Sequence, residues 1–173
     1  MRFQGVVYRA HDPRWSWTPV SGEGARRYGG RFNRSGVSAL YTSLSPMTAV
    51  HEASPLGRPL QPILLCAYDV DAAPIFNSLD GKECVNAGVT DSDLHCPTWR
   101  TVMYGGKVPP SQAVADRLIA AGYAGMQVRG FAAGAGRNDI NLVFWRWADR
   151  LPSRVAVIDD HGRLPSAQGF YRG

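Results

Sequence analysis

No apolar run in this chain outlasts a single strand. The longest, around Ile63 to Tyr68 and Leu142 to Trp147, are strand-sized, whereas a membrane-spanning helix needs about 20 apolar residues in a row. Such a chain has to bury its apolar residues by packing short strands and helices on one another. With 45% hydrophobic and 19% charged residues in 173, one globular domain covering residues 1–173 is expected, large enough for its own core. The start, Met1-Arg2-Phe3-Gln4-Gly5, lacks the apolar stretch of a secretion signal, so a cytoplasmic protein without a membrane partner is expected. Three cysteines, Cys66, Cys84 and Cys96, cannot all pair and form no CxxC. Zinc ligation by Cys84, His95 and Cys96 is disfavoured because a four-ligand set at finger-like spacing is missing. No metal is expected.

The formal net charge of +5 comes from seventeen arginines and only two lysines, Lys82 and Lys107, against fourteen acids. A composition rich in Ala, Gly, Pro and Arg, as GC-rich coding produces, explains much of that skew. The alternative account is recognition of phosphate by the planar guanidinium fork.

Gly5 to Ala10 reads as a first strand and an aromatic, proline-containing loop follows. Ser21 to Gly36 holds five glycines and four arginines with almost no aliphatic residue, so it reads as a loop, neither core strand nor good helix. Val37 to Thr42 reads as a strand. Ser45-Pro46 starts a helix, Ser as N-cap and Pro at the first position, which Pro55 and Gly57 stop. Ile63 to Val70 is the clearest strand. Gly81 to Lys107 is ambiguous, with a short helix over Thr98 to Tyr104. Ser111 to Ala121 reads as a helix capped by Ser111 and stopped by Gly122. Tyr123 to Val128 and Asn141 to Trp147 read as strands joined by the glycine-rich loop Gly130 to Gly136. Val155 to Ile158 adds a short strand before a surface arm. Strands and helices that do not alternate regularly give an α+β class, with a mixed, mainly antiparallel β core flanked by short helices.

Common nucleotide and hydrolase motifs fail. Gly106-Lys107 is followed by Val108, and Thr101 stands where a P-loop needs Gly. Gly134-Ala135-Gly136 lacks a third glycine and leads into a strand, against a Rossmann turn. There is no GxSxG elbow and no HExxH. The histidines His11, His51, His95 and His161 are scattered.

One ordered constellation remains: Gly29-Gly30-Arg31-Phe32-Asn33, Gly36, Tyr41, Ser43, then Ala49 and Glu52 on the helix from Ser45. Loop, strand and helix follow one another closely enough to converge on a cleft. The order resembles the RES domain, the toxin half of a bacterial toxin–antitoxin pair, with Phe32 in place of a Trp. Val7-Tyr8-Arg9 resembles that family's opening strand and Asn141-Leu142-Val143-Phe144-Trp145 its late one. The chain departs from the pattern at Gly130, where the family has the Ser that gives it the third letter of its name.

The resemblance implies an ADP-ribosyltransferase-like fold and NAD+ as substrate. It also implies a cognate antitoxin with a helix-turn-helix DNA-binding domain, with homo-oligomers in the complex and a protein target for ADP-ribose as further expectations. Some members are described as degrading free NAD+ and others as transferring ADP-ribose to a protein. Cleavage of the nicotinamide bond passes through a sugar cation, which a carboxylate stabilises. Glu52 is the candidate, since Glu23 is the only other acid beside the glycine loop; the alternative is an exposed helix residue. Arg31 among glycines suits the pyrophosphate, or is a solvated loop residue. Arg9 points into the same cleft or forms a structural ion pair. Tyr41 stacks on nicotinamide or packs in the core. Ser43 bonds ribose or carboxamide, or caps a turn. Glu52, Arg31 and Tyr41 form the candidate catalytic set, and Arg9 and Ser43 join them in binding. Two other classes stay open: a basic RNA-binding or ribonuclease toxin, against which the arginines are dispersed without an aromatic RNA-binding signature, and a non-catalytic interaction module. Direct nucleic-acid binding is not expected.

Overall fold

The computed structural model describes residues 1–54 and 59–166. Seven strands form one sheet in the order β4-β5-β6-β2-β1-β3-β7. They are β1 (Phe3–His11), β2 (Leu40–Ser43), β3 (Leu64–Ala72), β4 (Ile75–Asn77), β5 (Gly125–Arg129), β6 (Ile140–Phe144) and β7 (Ser153–Val157). Every pairing is antiparallel except β4 with β5. The helices are α1 (Glu23–Tyr28), α2 (Pro46–Ala53), α3 (Gly81–Ala87), α4 (Asp91–Leu94), α5 (Trp99–Tyr104) and α6 (Pro110–Ala120). The α+β class with a mixed, mainly antiparallel sheet is what the chain adopts.

Strand alternation divides the core between the two faces of this sheet. On β6, Leu142 and Phe144 pack with Val7, Leu40, Tyr68 and Val70 on one face. Val143 and Trp145 pack with Met126, Val128, Val114 and Leu118 on the other. β6 is buried on both sides, which is why it reads as a continuous apolar run. β3 shows the opposite pattern: Cys66, Tyr68, Val70 and Ala72 are buried, and Asp69 and Asp71 alternate with them. Those acids pair with Arg154 and Arg2 at 2.8 and 2.6 Å. Fully burying an aliphatic or aromatic side chain of this size contributes roughly 1.5–3 kcal/mol, so the sheet is anchored at β6, and the site lies at its first residues.

Several expectations are corrected. The stretch Ser21 to Gly36 is not all loop, because Glu23 holds Arg26 and Arg27 at 2.7 Å from positions three and four residues on, and these pairs support α1 despite Gly24. Gly29, at φ 70°, ends it. The strand placed at Val37 begins at Leu40, since the Val37 carbonyl is taken by Asn33 Nδ2 at 2.8 Å. β4 was not foreseen; its three residues add too short a period to read. The ambiguous region folds as α3, α4 and α5. Ser111 does not cap α6, which starts at Pro110; its buried hydroxyl has no partner among the described residues. Ser45 does cap α2, accepting from Thr48 N at 3.1 Å, with Pro46 at the first position. The stop expected at Pro55 and Gly57, and part of the arm, lie outside the described residues. Among the described residues no helix is long and apolar enough to cross a membrane.

Candidate active site

Tyr41 and Ser43 alternate on β2 and so project from one face, and the β2–β6 register sets Val143 opposite Tyr41 and Asn141 opposite Ser43. Ser43 Oγ donates to Asn141 Oδ1 at 2.7 Å. That bond turns the Asn141 amide so that its Nδ2 donates to Glu52 Oε1, also at 2.7 Å. Glu52 stands on the last turn of α2, and Oε1 further accepts Phe131 N at 2.6 Å and Ala132 N at 3.2 Å. Three N–H donors thus fix one oxygen of an exposed carboxylate. Oε2 takes no bond from the described residues.

α2 grips the same loop a second time, one turn earlier. Buried Thr48 donates through Oγ1 to Asp139 Oδ1 at 2.6 Å, Gly136 N donates to Oδ2 at 2.7 Å, and Gly130 N donates to the Asp139 carbonyl at 2.6 Å. The Thr48 hydroxyl, then the Gly136 N–H, hold the Asp139 carboxyl below its usual range. Thr48→Val strips the donor from Asp139 and leaves an acceptor without its partner. It is expected to lower stability, read as a lower urea midpoint at constant slope. An unchanged midpoint would show that other contacts hold the loop.

The glycine turn is built as tightly. Gly30 N donates to the Asn33 carbonyl at 2.9 Å. Gln112 Nε2, from α6, donates to the carbonyls of Gly30 and Asn33 at 2.8 and 3.0 Å. The Tyr41 hydroxyl accepts Phe32 N at 3.0 Å and donates to Asn33 Oδ1 at 2.7 Å. A Cβ on Gly30 would lie 2.5 Å from the Tyr41 hydroxyl and 2.6 Å from Asn33 Oδ1, which is why glycine stands there. Burial pushes the Tyr41 hydroxyl far above the ordinary tyrosine range, so it stays protonated and structural while its ring borders the cleft.

Arg31 leaves this turn with its guanidinium 4.1 Å from the Phe131 ring centroid and 5.6 Å from that of Trp99, and its Nη1 donates to the Cys96 carbonyl at 2.9 Å. Burial lowers its proton affinity and nearby Glu52 opposes this. Arg31, Tyr41, Glu52, Trp99, Phe131 and Asn141 line a cleft of 730 Å³, within the range of small-molecule sites. Ser43 lies beside it, on a smaller cleft of 280 Å³ that shares Tyr41, Glu52 and Asn141.

The family of the RES domain matches residues 6–167. The chain belongs to that family. A chain in the crystal structure of the M. tuberculosis MbcT-MbcA toxin-antitoxin complex is similar in fold, with a TM-score of 0.55 at 18% identity over 92% of this RES chain and 84% of that one. The mostly antiparallel seven-stranded sheet with short helices is the fold it shares with that chain. No curated protein matches the chain.

Within this RES domain the structure brings Arg31, Tyr41 and Glu52 onto one cleft and sets Ser43 behind Asn141. Arg9 is a correction. Arg9 is among the residues lining the smaller cleft, but strand alternation turns its side chain to the face opposite Tyr8, where Nη1 donates to the carbonyls of Pro19 and Ser21 at 2.9 and 3.0 Å. It forms no ion pair among the described residues. Glu23 is spent on Arg26 and Arg27, whose hydrogen bonds bring its carboxyl down to about 2. Asn141, Trp99, Arg100 and the Phe131–Ala132 amides were not foreseen. Asn141 left a trace, a polar residue opening an otherwise apolar strand; the amides left none. Among the described residues no group of three or more His, Cys, Asp or Glu side chains is placed to hold a metal ion.

Proposed function

We propose that this RES domain is the toxin of a bacterial toxin–antitoxin pair, acting in the cytoplasm, and that it binds NAD+ and cleaves the bond between nicotinamide and ribose. The observation that carries this reading is the Glu52 carboxylate, clamped through one oxygen by three N–H donors and open at the other, on the cleft it shares with Arg31. The open oxygen suits a ribose hydroxyl and the positive charge that develops at the anomeric carbon as the bonding pair leaves with nicotinamide. Preorganisation is what makes such a charge effective: the loop amides and Asn141 fix the carboxylate before substrate arrives. Arg31 suits the diphosphate. The Tyr41, Trp99 and Phe131 rings supply apolar walls for nicotinamide or adenine. Inhibition by an antitoxin that covers the cleft follows from an active site this open, and the similarity to a chain of a toxin–antitoxin complex supports it.

Gly130 favours a second outcome of the same cleavage. A Cβ there would stand 3.2 Å from Glu52 Oε1 and 3.1 Å from Asp139 Cβ, so the family's Ser at this position would press against the carboxylate. Without that hydroxyl, water or phosphate is less well held beside the sugar cation, and a docked protein side chain competes better for ADP-ribose. Purified protein given NAD+ labelled in its adenylate half, in buffer and in cell lysate, tests both levels. Free nicotinamide is expected in both, with a discrete labelled protein band in lysate. Nicotinamide without any band, and a Gly130→Ser variant no faster in buffer, would leave NAD+ degradation alone. Bound NAD+ with no nicotinamide released would overturn the cleavage.

A further inference from the structure

The cleft continues past the Arg31–Phe131 stack into a second lobe of 650 Å³, lined by Arg31, His95, Arg129 and Arg137 together with the glycine-rich loop. Among the described residues no carboxylate lines it. Neither Arg129 nor Arg137 forms an ion pair among the described residues, although salt bridges tie up many arginines elsewhere in the chain. The nearest acid in the loop, Asp139, is committed to Thr48 Oγ1 and Gly136 N. Arg129 reaches back to its neighbour's backbone, its Nη1 donating to the Arg137 carbonyl at 3.3 Å, which keeps both residues on one rim. Arg31 and Arg100, on the main cleft, already complement a diphosphate. The two further guanidiniums are a surplus of positive charge that NAD+ leaves unmatched.

From this surplus we infer that the lobe is a subsite for an additional phosphate on the substrate, the 2′-phosphate of NADP+, and that the enzyme cleaves NADP+ as well as NAD+. The inference rests on the main cleft being the dinucleotide site. A phosphomonoester carries about 1.5 to 2 negative charges at pH 7 and three acceptor oxygens, and guanidinium forks meet it in paired, charge-assisted bonds. An arginine near the adenosine ribose is the general means by which proteins accept that group. Arg31 belongs to both lobes, so a dinucleotide whose diphosphate lies on it has a path for its adenosine end into the second.

Nicotinamide release from NAD+ and from NADP+, compared in the wild type, in the double variant Arg129→Ala, Arg137→Ala and in its double Lys counterpart, tests the inference. NADP+ is expected to have a kcat/KM at least equal to that of NAD+. The Ala variant should lose roughly ten- to a hundredfold on NADP+ and under about threefold on NAD+, and the Lys variant should recover part of the loss. Both arginines are exposed, so the fold should survive. NADP+ cleaved far more slowly than NAD+ by the wild type, or equal losses on both substrates, would overturn the subsite. Inorganic phosphate that speeds NAD+ breakdown through these arginines, without preference for NADP+, would assign the lobe to a free ion and overturn the substrate. If neither dinucleotide is cleaved, the cleavage reading fails separately, and calorimetry decides the lobe. Adenosine 2′,5′-bisphosphate should then bind the wild type about tenfold or more tighter than AMP, and equal affinities would reject the subsite.

Discussion

Replacing Glu52 by Gln is expected to cut the rate of nicotinamide release by about 10²- to 10³-fold while NAD+ still binds. Glutamine keeps a carbonyl oxygen for Phe131 N, Ala132 N and Asn141 Nδ2, so the three bonds to Oε1 persist and the loop stays on α2. What changes is the open side, where a neutral amide replaces the oxygen that faces the sugar cation. An interaction realised only as charge develops appears in kcat rather than in binding, and losing one preorganised stabiliser costs roughly 2.7–4 kcal/mol of barrier. Single-turnover kinetics with saturating NAD+ reads the chemical step, and calorimetry reads the binding. The same substitution should relieve growth inhibition when the domain is expressed without its partner. Release at the wild-type rate would take Glu52 out of the chemistry and leave it as a clasp for the loop at 130–139.

That clasp marks where the sequence stopped being legible. The residues that announced themselves did so through local rules. Ser45-Pro46 predicted the start of α2, the aliphatic stretch between Pro62 and Asp71 predicted β3, and the continuous apolar run after Asn141 predicted β6. The glycine turn was legible as a turn, though the reason for Gly30 was not, because the atoms that exclude a side chain there belong to Tyr41 and Asn33. α1 was hidden because its stability comes from Glu23 bridging two arginines within a glycine-rich composition. Arg9 was misplaced because its neighbour Tyr8 takes the cleft face, and a strand turns the next residue away; reading the parity from Val7, an obvious core residue, would have shown it. The grip on Glu52 could not be read at all. It is made by backbone amides at Phe131 and Ala132 and by an amide side chain 89 residues away, and backbone donors carry no residue signature. Candidate residues were thus legible where chemistry sits on side chains close in sequence, and illegible where the chain folds back to orient them.

Arg31 tests that distinction, because its role depends on a setting the sequence did not show. Its guanidinium lies on the Phe131 ring, near Trp99, and is half tied to the Cys96 carbonyl. Aromatic faces and two carbonyls that share Nη1, those of Leu94 and Cys96, leave several N–H donors and the whole charge for a ligand. Arg31→Ala is therefore expected to weaken NAD+ binding by about 1.5–3 kcal/mol, roughly ten- to 150-fold in Kd, with a smaller effect on the chemical step. Arg31→Lys restores the charge but neither the planar stack on Phe131 nor the paired donation, so it should recover only part of the affinity. A purely structural arginine would behave differently. Its loss would lower the melting temperature by releasing the Cys96 carbonyl and loosening Phe131, and Lys would fail as badly as Ala, because stacking rather than charge would be missing. Calorimetric titration of NAD+ into both variants, alongside thermal unfolding, separates the two roles. Unchanged NAD+ affinity in a folded Arg31→Ala protein would remove Arg31 from the binding site and pass the diphosphate to Arg100, whose guanidinium lies 5.0 Å from the centroid of the same Trp99 ring.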